Sequence, residues 1–102
     1  MRSVKITVIK KVEHKDLITQ YENYIEEPCK LNIGDSFIIK NIDDIPQGMC
    51  VSAYMSLYPF IMNLLYNGND IYNGWMKNKN QAIVSCNDGF RPVSFLLEVI
   101  EE

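Results

Sequence analysis

Residues 46–68 constrain this chain most. They read as a turn signal, Pro46-Gln47-Gly48, then a long apolar run, then the stop signal Asn67-Gly68. Within the run, Cys50, Tyr54, Leu57, Tyr58, Ile61, Leu64 and Leu65 recur at helical spacing, and most residues between them are apolar as well. The pattern predicts a helix over about residues 49–66 that is covered on nearly all sides. Pro59 lacks the N–H that would bond the Met55 carbonyl. It predicts a kink or a division of the helix, at a cost of about 3 kcal/mol if nothing compensates.

The remaining segments read as cover for that helix. Val4, Ile6 and Val8 alternate with Lys5 and Thr7, which predicts a strand over residues 3–12 with one buried face. Residues 14–25 carry Leu17, Tyr21, Tyr24 and Ile25 at helical intervals, the pattern of a short surface helix or an irregular turn, ended by Glu27-Pro28. Residues 29–33 read as a short extended piece. The turn Gly34-Asp35-Ser36 then feeds a strand over residues 37–40. The polar loop 67–80 carries Tyr72 and Trp75, and loops of that length usually hold function or are mobile. A strand over residues 81–86, the hairpin signal Asn87-Asp88-Gly89 and a strand over residues 93–100 close the chain. Val93, Phe95, Leu97 and Val99 share one face of that last strand.

Together these segments predict one domain spanning residues 1–102. Its fold class is α+β, a small and mostly antiparallel sheet of four or five strands packed on one long, Pro-kinked central helix. A chain of 102 residues buries about two thirds of the surface its unfolded form exposes, enough for a core of its own.

Composition narrows the partners. The sequence has 13 acidic and 10 basic side chains, a net charge of −3, which argues against nucleic acid or an anionic membrane as the main partner. Basic residues crowd the start and acidic ones the end, which predicts that the two terminal segments lie together. Ser52, Ser56, Pro59 and Asn63 interrupt the best apolar run before it reaches the roughly 18 residues of a membrane span, and the N-terminus does not resemble a signal peptide. Three cysteines without close spacing suit a reducing compartment. The expectation is a soluble, cytoplasmic protein.

Three groups of residues are candidates for chemistry. Cys29, Cys50 and Cys86 each fall at the edge of an element, where metal ligands or a ligand pocket could converge; the alternative is three structural thiols. A four-ligand metal site lacks its fourth donor, unless His14, solvent or a partner completes it. Cys50 at a helix N-terminus is also a candidate nucleophile, because the helix dipole favours thiolate there, with His14, the single histidine, as its base. Trp75 with Tyr72, and Asp88 with Arg91, could close over a small anionic or planar ligand. The plainer alternative is that Trp75 caps the core and Arg91 pairs with Asp88.

In combination, several of these motifs resemble a family of small uncharacterised bacterial and archaeal proteins of about this length. The matching residues are the Val4-Lys5-Ile6-Thr7-Val8 strand, Cys29, Gly34-Asp35-Ser36-Phe37, Pro46-Gln47-Gly48-Met49-Cys50, Trp75, and the run from Cys86-Asn87-Asp88-Gly89 through Arg91-Pro92-Val93 to Phe95. The resemblance implies a shared role for the three cysteines. It supplies no activity. A glycine-histidine pair found near the first cysteine in many relatives is replaced here by Leu31-Asn32-Ile33, so a histidine ligand from that position is missing.

The leading expectation is therefore a module that binds a metal or small ligand near the three cysteines and the Trp75 loop. Two alternatives are a thiol-dependent enzyme or redox protein using Cys50, and an assembly subunit that forms a homo-oligomer through sheet edges and the Tyr- and Met-rich helix.

Overall fold

The computed structural model describes residues 2–101. Its elements follow in the order β1 (Arg2–Lys11), α1 (Lys15–Tyr21), β2 (Ser36–Ile39), α2 (Val51–Leu65), β3 (Gln81–Ser85) and β4 (Val93–Glu101). The four strands form one sheet in the order β2-β1-β4-β3, and every neighbouring pair is antiparallel. The architecture is α+β with a four-stranded antiparallel sheet and two helices. Residues 29–33, read from the sequence as a short extended piece, form no strand.

The first and last strands are neighbours at the centre of the sheet, with Arg2 opposite Glu101 and Lys5 opposite Glu98. The uneven charge along the sequence is balanced across this pair, and Arg2 Nε bonds Glu101 Oε1 at 2.8 Å. Alternation decides which face is buried. Val4, Ile6 and Val8 on β1, and Val93, Phe95 and Leu97 on β4, point inward and are almost fully covered. Ile9, next to Val8, falls on the opposite face and is partly exposed, and a register shift between Val8 and Lys10 ends the alternation, so that Lys10 is exposed.

Against this face lies α2, contributing Ala53, Tyr54, Leu57, Ile61, Leu64 and Leu65. Its coverage differs from the expectation. Only one side is buried, whereas Val51, Met55, Pro59, Met62 and Tyr66 fall on the outward side and are exposed. A single helix laid on a sheet has no second layer to cover its back, so the apolar residues there remain in water.

Both ends of α2 are fixed by specific contacts. At its start, Gly48 takes a φ of +94°, a left-handed turn that admits glycine without strain, and Met49 then enters the core. At its end, Asn67 adopts φ +70° and the Gly68 N–H returns to the Asn63 carbonyl at 2.8 Å, a Schellman-type close. A Cβ at Gly68 would stand only 2.5 Å from that carbonyl oxygen, so the position requires glycine. Arg2 completes the end by donating through Nη1 to the carbonyls of Leu64, at 3.0 Å, and Gly68, at 2.7 Å. The first strand and the helix terminus are thereby joined.

Candidate functional site

Three separate parts of the chain meet at the leading end of α2. The first is a strap, residues 22–31, which leaves α1 and crosses without regular structure. Its residues 23–28 are exposed; Cys29 is half-buried against the core and Leu31 is buried. It is tied down at both ends. Glu22 Oε1 accepts from Arg91 Nη1 at 2.6 Å, and the Leu31 carbonyl accepts from Lys11 Nζ at 2.6 Å.

The second part is the first turn of α2. Cys50 is its N-cap, and the sulfur accepts from the Ala53 N–H at 3.4 Å, so a thiol fills the role that a serine or aspartate oxygen usually takes. The third is the connection between β3 and β4. Cys86 sits just past the end of β3, with its N–H on the Val93 carbonyl at 3.0 Å and its sulfur accepting from the Val93 N–H at 3.2 Å. Ser52 Oγ donates to Asn87 Oδ1 at 2.6 Å, which fastens the helix start to this connection.

Between the three parts is a cavity of about 180 Å³ whose wall includes Cys29, Cys50, Cys86, Asp88 and Arg91. Leu31, Ala53, Val93 and Phe95 supply its apolar lining. Two further clefts adjoin it under the strap. One of about 350 Å³ runs past Met49 and Lys30, and one of about 170 Å³ runs past Lys11 and Glu13; Pro28 and Cys29 border all three spaces.

The three cysteines therefore face a common space, although 57 positions separate the first from the last (86 − 29). They do not form a metal centre by themselves: among the described residues no three His, Cys, Asp or Glu side chains are grouped so as to hold a metal ion. All three thiols are free. His14 occupies the N-cap position of α1 without a side-chain capping bond and is not part of the cavity wall.

The side chains of Asp88 and Arg91 do not pair with each other. The Asp88 carboxylate turns to the backbone, where Oδ1 accepts from the N–H groups of Phe90 at 2.8 Å and Arg91 at 3.2 Å. Such an Asx turn shapes the connection and holds Arg91 in place. The guanidinium pairs with Glu22, and both side chains of that pair are largely buried.

Trp75 is not in the cavity wall. It is 83% exposed and lies parallel to Tyr72, 6.0 Å between ring centres, while Tyr72 rests on Phe60 and donates its hydroxyl to the Ile83 carbonyl at 2.6 Å. Phe60 and Tyr72 thus pack against the core near β3, whereas Trp75 lies outside them and does not cap it.

Glu22, Lys11, Leu31 and Ser52 are not marked as site residues by the sequence. Glu22 and Arg91 are 69 positions apart, and no local pattern signals their pairing. Leu31 alone carries a usable sign, as an apolar residue two positions after Cys29 and between Lys30 and Asn32. Among the described residues no helix is long and apolar enough to cross a membrane. Comparison with protein-family models, with curated proteins and with solved structures found no match.

Proposed function

We propose that this protein is a binding module for a small organic ligand, held in the cavity at the leading end of α2. One observation carries the reading: the strap, the helix start and the β3–β4 connection bring three thiols and a guanidinium around a single cavity of about 180 Å³ with apolar walls. Concave, largely apolar spaces with a few convergent polar groups are where small ligands bind. A metal ion would need a further donor from solvent or a partner, because the grouping of the described residues does not supply three. The test is a fragment titration of nitrogen-15-labelled protein. The reading expects shifts that cluster on the amides of Ala53, Cys86 and Val93; binders that perturb only other surfaces would refute it.

A second reading is favoured by the position of Cys50, an exposed thiol at the N-cap of a long helix and on the cavity wall. Here the module performs thiol chemistry on what it binds. Labelling with iodoacetamide at neutral pH separates the readings: a thiol enzyme shows Cys50 alkylated well ahead of Cys29 and Cys86, and equal rates for all three remove the catalytic version.

A further inference from the structure

The cavity contains a charge arrangement that its apolar lining does not require. Arg91 borders both the 180 Å³ cavity and the adjoining 170 Å³ cleft, and its side chain is only 19% exposed. A guanidinium presents five N–H donors in a planar fork. Among the described residues its hydrogen-bond partner is Glu22, which takes up one nitrogen. Asp88 does not compete for the rest, since its carboxylate is committed to backbone N–H groups.

Glu22 reaches this fork from the end of a short surface helix. It is the C-cap residue of the seven-residue helix α1, and exposed chain without regular structure follows it. We infer that the ligand is a small monocarboxylate whose head group replaces the Glu22 carboxylate on Arg91, while its short apolar tail lies against Leu31, Val93 and Phe95. The inference rests on the reading of the cavity as a ligand site and adds the chemical class.

The alternatives fit less well. A phosphate would bring a second negative charge to a wall whose one cation is Arg91 and which already carries Asp88. A planar carboxylate matches the fork in two parallel hydrogen bonds. The start of α2 adds a favourable potential through its dipole. Displacing Glu22 frees one anchor of the strap and leaves the other at Leu31 in place, so ligand entry and release of residues 22–30 are a single event.

The experiment is a titration of nitrogen-15-labelled protein with butanoate and, separately, with the isosteric neutral butanamide, for the wild type and for Glu22→Gln and Arg91→Gln. Butanoate is expected to shift the amides of Ala53 and Val93 together with those of residues 23–27, and to bind at least about tenfold more tightly than butanamide. Glu22→Gln keeps a hydrogen-bond acceptor but loses the charge, and is expected to bind butanoate about tenfold more tightly than wild type. Arg91→Gln is expected to lose the preference for the anion; should that variant fail to fold, Glu22→Gln decides alone. Equal binding of the two probes, or no gain in Glu22→Gln, overturns the carboxylate assignment and leaves the cavity reading intact. Absence of any shift at Ala53 and Val93 with either probe overturns both.

Discussion

Arg91 Nη1 stands 2.6 Å from Glu22 Oε1, and this one contact joins the end of α1 to the connection between the last two strands. The pair is largely shielded from water, so removal of either partner leaves the other poorly solvated and uncompensated. A double-mutant cycle with Glu22→Gln and Arg91→Gln, followed by urea unfolding, is expected to give a coupling of about 1–2 kcal/mol. Strict additivity of the two substitutions would show that the contact does not hold the strap.

That contact also marks the boundary of what the sequence makes legible. The strands are readable because Val4, Ile6 and Val8 alternate with Lys5 and Thr7, and Val93, Phe95 and Leu97 recur at every second position, so that each set declares a buried face. The helix end is readable because Asn67-Gly68 permits the backbone reversal that a Schellman close needs. Charge asymmetry pointed to the proximity of the termini, and Arg2 opposite Glu101 is its structural form. Cover over α2 was overstated, since residues such as Val51 and Met55 are apolar for reasons that periodicity does not distinguish from burial. The strap is less legible: Tyr24 and Ile25 continue the helical spacing although α1 ends at Tyr21, and the anchors at Glu22 and Leu31 depend on contacts across long stretches of chain.

Arg2 is the clearest stability determinant outside the hydrophobic core. Its guanidinium satisfies the carbonyls of Leu64 and Gly68 and pairs with Glu101. Arg2→Ala is expected to lower the unfolding free energy by about 1–3 kcal/mol, since the helix end loses two charge-assisted hydrogen bonds. Arg2→Lys should recover only part of the loss, because an ammonium is a point charge without the fork. Full recovery by lysine would mean that charge alone matters at this end.

Phe95 is fully buried beneath α2 and also forms part of the cavity wall. Phe95→Ala is expected to cost about 3–5 kcal/mol, read from the shift in the denaturation midpoint. A loss under about 1 kcal/mol would indicate that α2 does not pack on β4 as described.

Alkaline pH provides an independent check on burial. Burial raises the Tyr54 phenol above its ordinary value, with smaller contributions from Tyr58, Asp43 and Asp44, and burial raises Tyr72 as well. Tyr54 donates its hydroxyl to the Ile42 carbonyl at 2.6 Å, a bond that the phenolate cannot make. A folded-state value above the unfolded one means that the stabilisation is complete below the unfolded value, about 10, and is lost as pH rises through the folded value. Unfolding monitored between pH 9 and pH 12 should show stability falling from about pH 10 upward. In Tyr54→Phe that decline should be shallower; an unchanged decline would mean that Tyr54 is not the group responsible.

The most direct measurement is of the meeting point itself. Isotope-edited nuclear Overhauser spectra of the protein with a bound fragment report which methyl groups touch one small molecule. If the strap, the helix start and the β3–β4 region enclose a ligand, a single bound molecule will show contacts to the methyls of Leu31, Ala53 and Val93 together. Contacts limited to the Tyr72 and Trp75 loop, or to the outward side of α2 at Val51 and Met55, would place the binding surface elsewhere and contradict the account.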